Sequence, residues 1–385
     1  MRLESVDSAD ARAVLRALRG AVLGAGPAVA LGGAAPREVP AGTAVVVTTS
    51  GSTGYPKSIV LSRSALTSGA LATADRLGSG SWLLALPASY VAGVQVLVRA
   101  LVAGREPAML TGSFQPAAFA AAAAGMASSE HGHRVPTYTS LVPAQLQTLL
   151  DAGEDDPRVT AALASFEAIL VGGQALPAVL AERAAAAGAR VVRTYGSSET
   201  SGGCVYDGVP LDGVGVRVVD GEVQLSGPTL ADGYLDDPER TAAAFLRDAD
   251  GTRWYRTGDA GTFDGRVLQV TGRIDNVIVS GGINVSLDRV ERVVRGIAGM
   301  ASAVVVPVAD ERWGQASVVV APRSAGAAGA AVDADTEELL AIVRAAVAEE
   351  LGAPARPRAV LLVEEMPHLA SGKPDRAALR ALAGG

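Results

Sequence analysis

Two β-branched runs, Val45-Val46-Val47 and Ile59-Val60-Leu61, bracket a loop of hydroxyls and glycines, Thr48-Thr49-Ser50-Gly51-Ser52-Thr53-Gly54-Tyr55-Pro56-Lys57. The pattern reads strand, loop, strand. Glycines let backbone N–H groups approach a ligand, hydroxyls add donors and the Lys57 ammonium adds charge, which together meet the needs of an oligophosphate. A Walker A loop is excluded, because that motif sets Gly beside Lys and runs directly into a helix, whereas Tyr55-Pro56 intervenes here and a strand follows. A polar turn joining two hairpin strands is the plain alternative.

Lysine is rare in this chain: Lys57 and Lys373 stand against thirty-one arginines. An ammonium is a compact point charge and a guanidinium a wide planar fork, so a lysine kept in an Arg-rich chain points to a tight site that needs a small cation. Both lysines lie in glycine-bearing segments, the second being Ser371-Gly372-Lys373.

Further elements alternate. Ser62 caps a helix running to about Leu77 and stopping near Gly78, Ser81 to Leu86 is a strand, and Val91 to Ala103 is a helix ended by Gly104. Ala117 to Ala127 reads as a buried or half-buried helix, too short and too weakly hydrophobic to cross a bilayer. Ala168 to Val171 and Val191 to Thr194 are strands, followed by Gly172-Gly173 and Tyr195-Gly196. Such alternation belongs to layered α/β folds. From Gly213 to Gly272, Asp-Gly and Gly-Pro turns split short strands such as Val216 to Val219 and Glu222 to Leu225, the pattern of an antiparallel β subdomain. Beyond it come a helix at Val290 to Val294, strands at Ala303 to Val308 and Ser317 to Ala321, and an Ala/Gly loop from Ser324 to Asp333. Asp335 and Glu338 then form a capping box for a helix with Leu339, Val343, Val347 and Leu351 on one face.

The expected fold is mixed α/β (α+β): a large N-terminal domain, 1–273, of layered α/β subdomains plus a β subdomain, and a small C-terminal α+β domain, 274–385. With 385 residues, 49% of them hydrophobic, and 45 glycines, the chain has material for more than one core. A net charge of −7 without an Arg–aromatic track argues against nucleic acid as partner. The single cysteine, Cys204, reads as a small packing residue. With no apolar signal core at the start and no ~18-residue apolar run, the expectation is a cytoplasmic protein without a membrane partner. His131 and His133 have metal-like spacing, but among Ser128, Ser129 and Gly132 they read as a solvated loop.

Thr-Ser-Gly-Ser-Thr-Gly-x-Pro-Lys, Thr49 to Lys57, resembles the phosphate loop of the adenylate-forming enzymes, the superfamily of acyl-CoA synthetases, peptide-synthetase adenylation domains and beetle luciferases. The resemblance continues in order from about residue 45 to 380. Gly172-Gly173-Gln174 is similar to the family's adenine-side turn, and Thr194-Tyr195-Gly196-Ser197-Ser198-Glu199 to its central nucleotide motif. Tyr255-Arg256-Thr257-Gly258-Asp259 matches the ribose motif, Gly272-Arg273-Ile274-Asp275 the interdomain hinge, and Ser371-Gly372-Lys373 the C-terminal catalytic lysine motif.

This resemblance implies ATP bound by Thr49, Ser50, Gly51, Ser52, Thr53, Gly54, Lys57, Gly172, Gly173, Gln174, Thr194, Tyr195, Gly196, Asp259 and Arg273. It also implies Mg²⁺ on Glu199, Ser198 near the α-phosphate, and Lys373 carried into the site by a mobile C-terminal domain pivoting at Asp275. Gly281 and Gly282 would face the entry path of coenzyme A. Physical sense supports the assignments: Tyr195 offers a flat ring to adenine, and Glu199 a hard oxygen to a divalent ion.

Within the superfamily, Arg193 to Pro210 together with Ser81 to Pro87 and Val91 to Gln95 is similar to the actinobacterial o-succinylbenzoate–CoA ligases of menaquinone biosynthesis. That implies a carboxylic acid substrate in a pocket formed by Tyr90, Gly93, Ser201, Gly202 and Gly203, with a homodimer left open. Tyr90 stands where those ligases usually carry His, Val279 replaces a frequent Lys and His368 a frequent Arg. A CoA ligase for another aryl or acyl acid is therefore the alternative, and a catalytically idle nucleotide-binding relative the more distant one.

Overall fold

The computed structural model describes residues 1–24, 26–32, 38–49, 56–110, 112–126, 128–130, 132–323, 336–369 and 372–384. The expected loop Ser324 to Asp333, its capping residue Asp335, and His131 lie outside them. Two compact units are formed: Met1–Leu176 with Arg183–Thr257 and Phe263–Gln269, and Val270–Gly385 with Pro177–Glu182 and Gly258–Thr262.

In the first unit, parallel strands Leu3–Ser5, Ala28–Leu31 and Thr43–Thr49 are extended by antiparallel Lys57–Ser62 and Gly233–Tyr234. Thr49 pairs with Lys57, so the hairpin is in register right up to the phosphate-loop residues. A second sheet runs through Ala108–Met109, Ser81–Leu84, Thr137–Leu141, Ala168–Val171, Val191–Ser197, Gly202–Tyr206 and Val209–Pro210. Helices Arg63–Leu77 and Val91–Val102 share one core with both sheets, in which Ile59, Leu61, Leu66, Leu84, Val94, Leu97 and Leu170 are buried. The Ser62 hydroxyl accepts the Ala65 N–H at 3.2 Å, the expected cap.

Two departures from the expected pattern have the same origin. The strand at Val191 runs to Ser197, past the expected Thr194, because Gly202–Tyr206 pairs with it, Tyr195 opposite Val205 and Ser197 opposite Gly202. A distant partner leaves no mark on local periodicity. The β region likewise contains a helix, Pro238–Ala244, started by the Asp237 side chain accepting from Arg240 N. Gly233–Tyr234 leaves that region to pair with Val60 and Ile59. The expected hairpin is present as Gly215–Val219 and Glu222–Ser226. Cys204 is buried, and burial pushes its thiol up to about 12, consistent with packing rather than reactivity.

The second unit is a sheet covered on both faces. Strands Val304–Asp310 and Gly314–Pro322 are antiparallel, Ala359–Val363 joins in parallel, and the hairpin Val277–Ser280/Ile283–Ser286 completes the sheet. Side-chain alternation sends Val305, Val319 and Val360 against helices Leu287–Arg295 and Thr336–Leu351, and Val304, Val306 and Val318 toward Leu379 of helix Arg376–Gly384. Leu339, Val343 and Val347 form the buried face as expected.

Under that sheet, buried Glu291 accepts the Val305 N–H at 3.0 Å and pairs with Arg295 at 2.8 Å and Arg376 at 2.7 Å. Arg376 also donates to Val305 O at 2.9 Å, which ties the segment carrying Lys373 to the core. Removing one partner of such a buried network strands the others without compensation, at a cost of about 3–5 kcal/mol. Glu291→Ala should therefore destabilise the second unit by that amount, read as faster amide hydrogen exchange across Val304–Asp310. Unchanged exchange there would contradict the assignment.

Candidate active site

Three separate pieces of the first unit meet at one carboxylate. Glu199 lies in a single 3₁₀ turn, Ser198–Thr200, shaped by the Thr200 hydroxyl, which accepts the Ser197 N–H at 2.8 Å, and closed by Ser201 in the left-handed region at φ 54°. Ala231 N donates to Glu199 O at 2.8 Å and brings in the chain that continues to Tyr234. Lys57 begins the strand to which Gly233–Tyr234 is paired.

Lys57 Nζ donates to Glu199 Oε1 at 3.1 Å and Tyr234 Oη donates to the same oxygen at 2.9 Å; Nζ lies 5.6 Å from the Tyr234 ring centroid. Glu199 is 4% exposed. Burial by itself would push its carboxyl up, but the Lys57 charge, the backbone, and the two donors together hold it below the ordinary carboxylate range. Burial and the adjacent carboxylate push the Tyr234 phenol up, so it remains a donor. A buried carboxylate held ionised by a half-buried ammonium is the kind of perturbed group that marks a candidate functional site.

A divalent ion fits this carboxylate. Both donors reach Oε1, and among the described residues no group of three His, Cys, Asp or Glu is placed to hold a metal. Such an ion would take one protein carboxylate and complete its shell with ligand oxygens and water, the usual arrangement for Mg²⁺.

The remaining expected residues of this unit fall as follows. A Cβ on Gly172 would lie 2.3 Å from Thr194 Oγ1, so the Gly172-Gly173-Gln174 turn and Thr194 pack directly together. At Gly196 a Cβ would lie 2.2 Å from Gly202 O, which puts Gly202 and Gly203 opposite the nucleotide motif and requires glycine. Tyr195 is half-buried beside them. Tyr90 precedes helix Val91–Val102 and its carbonyl accepts from Val94 N at 2.9 Å, while Gly93 sits against Pro87. Thr49 ends its strand, and Ser50, Gly51, Ser52, Thr53 and Gly54 lie outside the described residues.

In the second unit Arg273 links the expected ribose and hinge residues. It donates to Asp259 Oδ1 at 3.3 Å and, through Nε and Nη2, to both oxygens of Asp275 at 2.9 and 3.0 Å. The Arg273 hydrogen bonds hold the Asp275 carboxyl below its usual range. Gly281 and Gly282 turn the Val277–Ser286 hairpin, Gly281 against the Trp313 ring. Lys373 sits in a tight turn in which its carbonyl accepts from Leu369 N and Gly372 N donates to Leu369 O, both at 2.8 Å. Ser371 lies outside the described residues.

Sequence reasoning missed Tyr234, which is 35 residues from Glu199 along the chain and carries no local motif beyond the preceding glycine. It also missed Gln95, whose Cγ would lie 3.0 Å from a Cβ on Gly202.

Residues 8–235 match the family described as AMP-binding enzyme, and residues 289–373 match the AMP-binding enzyme C-terminal domain. The chain belongs to the AMP-binding enzyme family. A relative from Mycobacterium tuberculosis, described as a probable 2-succinylbenzoate–CoA ligase, is 44% identical to this AMP-binding enzyme over 87% of its chain and 83% of the relative. A variant of Escherichia coli MenE with bound OSB-AMS superposes with TM-score 0.69 at 28% identity, covering 92% of this chain and 72% of that one. Bacillus subtilis o-succinylbenzoate CoA synthetase (MenE), in complex with the acyl-adenylate intermediate OSB-AMP, superposes with TM-score 0.70 at 25% identity over 90% and 70%.

In the AMP-binding enzyme site, the depressed carboxyl gives a sign-definite test. Glu199 stabilises the fold above the ordinary carboxylate range, and that contribution is lost as pH falls through its lowered value. In Lys57→Met the strongest opposing charge is gone and burial acts with less opposition, so the carboxyl should titrate at higher pH than in wild type. Infrared or carbon-detected NMR titration reads this directly, and an unmoved titration would contradict the pairing.

Proposed function

We propose that this protein is an ATP-dependent o-succinylbenzoate–CoA ligase: the acid attacks ATP at the α-phosphorus to give acyl-adenylate and pyrophosphate, and the CoA thiol then displaces AMP to give the thioester. The observation that carries the reading is the Lys57–Glu199–Tyr234 cluster at the nucleotide motif of a chain so similar to ligases of this substrate.

Each residue has a role that its chemistry supports. Lys57 neutralises phosphate charge, and the ATP phosphates compete with Glu199 for its ammonium. Glu199, kept ionised, would hold Mg²⁺, which supplies charge neutralisation on the phosphates when bound. Tyr234 fixes the carboxylate's orientation through Oε1. Ser198 lies by the α-phosphate, Thr194, Tyr195 and the Gly172-Gly173-Gln174 turn take the adenine, and Asp259, oriented by Arg273, accepts the ribose hydroxyls. Lys373, on a mobile domain at 274–385 pivoting about Asp275, meets charge as it develops on the transferring groups, which is electrostatic catalysis. Gly281 and Gly282 face the thiol.

Two measurements test this. ATP/pyrophosphate exchange should depend on o-succinylbenzoate, with the CoA thioester formed when CoA is added; exchange with other aryl acids and none with o-succinylbenzoate would overturn the substrate, Tyr90 being the residue to examine first. Lys373→Ala should lose adenylate formation by about 3–4 kcal/mol of barrier while thioester formation from supplied acyl-adenylate persists. Equal loss in both half-reactions would reject the domain-alternation role.

A further inference from the structure

Glu199 is held from outside its own turn by one short stretch, Ala231 to Tyr234. Ala231 N donates to Glu199 O at 2.8 Å and Tyr234 Oη to Glu199 Oε1 at 2.9 Å. The stretch is fastened to the strand that begins at Lys57: Asp232 N donates to Val60 O at 2.9 Å, Gly233 and Tyr234 stand opposite Val60 and Ile59, and Leu235 N donates to Ser58 O at 2.8 Å. Two of its carbonyls are gripped by a single side chain. Arg253 Nη1 donates to Ala231 O at 2.6 Å and Nη2 to Asp232 O at 2.8 Å.

A guanidinium presents its donors in one rigid plane, so bonds to two consecutive carbonyls fix both peptide groups in a way that a single-point ammonium would not. The guanidinium is itself seated. It lies 4.1 Å from the Phe245 ring centroid, and Phe245 packs on Tyr234 with centroids 6.2 Å apart and on Tyr255 at 5.2 Å. Strand pairing gives no reason for an arginine here, because Arg253 stands directly opposite Arg247 where Phe245–Arg247 pairs with Arg253–Phe263, and like charges at facing positions destabilise a sheet. A local rule broken in this way has its compensation elsewhere, and the compensation visible at Arg253 is the pair of carbonyl bonds.

We propose that Arg253 is a positioning residue for the Glu199 carboxylate: by clamping the carbonyls of Ala231 and Asp232 it sets Tyr234, two residues on, so that the phenol reaches Oε1 and holds the carboxylate in one orientation toward a divalent ion. The inference rests on the reading of Glu199 as the Mg²⁺ carboxylate and goes beyond it by naming the group that orients the orienting phenol. Arg253 acts through Tyr234 and takes no part in the chemical step.

The test follows the metal in four forms of the whole chain: wild type, Tyr234→Phe, Arg253→Met and the double variant. One readout is the Mg²⁺ concentration that half-saturates acid-dependent ATP/pyrophosphate exchange. The other is Mn²⁺ binding in the presence of ATP and the absence of acid, followed by electron paramagnetic resonance. Tyr234→Phe and Arg253→Met should each weaken both by about tenfold, as the loss of a group supporting a metal ligand does. Because Arg253 works through the phenol, the double variant should stay within about threefold of Tyr234→Phe. A merely structural arginine would lower the amount of active protein without moving either midpoint. Wild-type midpoints in Arg253→Met, or a double variant in which the two losses multiply, overturn the proposal. Where Arg253→Met does not fold, Arg253→Lys takes its place, since an ammonium lacks the planar fork, and wild-type midpoints there overturn it equally. Wild-type midpoints in Tyr234→Phe sink the placing of the metal on Glu199 itself, whereas a shift in Tyr234→Phe with none in Arg253→Met sinks this inference alone.

Discussion

The Glu199 carboxylate, buried and kept ionised by Lys57 and Tyr234, is the constraint on which the first unit's site depends. Three chain segments with no sequence proximity must arrive together for it to exist. The sheet solves this by placing Lys57 at the start of one strand and Tyr234 on the strand beside it, while the Ala231 N–H holds the 3₁₀ turn of Glu199 against them. An ammonium held by one carboxylate is also an ammonium that a more highly charged phosphate can claim. The pair therefore keeps a half-buried cation poised beside an ionised carboxylate.

Glycine does the complementary work. A side chain at Gly172 would collide with Thr194 and one at Gly196 with Gly202, so the Gly172–Gln174 turn, the Thr194–Ser197 stretch and the strand Gly202–Tyr206 pack closely together. The second unit uses charge instead: Arg273 clamps Asp275 while also reaching Asp259, and Glu291 anchors Arg376 three residues after Lys373. Two hydrogen bonds from one guanidinium give the Asp275 carboxylate a defined geometry.

Much of this was legible in the sequence, and the reasons for the rest are physical. The Lys57 hairpin, the Ser62 cap and the Leu339/Val343/Val347 face depend on neighbours within a few residues, so local pattern exposes them. Tyr234 joins a sheet through two residues, Gly233–Tyr234, too few to show an alternation, and its partner Glu199 is set by tertiary pairing. The extension of the strand to Ser197 and the approach of Gln95 to Gly202 are likewise non-local.

The claim beneath all of this is that the Lys57–Glu199 pair is built to receive the phosphates of ATP. Calorimetric titration of ATP into wild type and Lys57→Met measures it most directly. The account predicts at least about a tenfold loss of ATP affinity in the variant, as removal of a charge-assisted contact gives, with the fold intact. Equal affinities in the two proteins would contradict it.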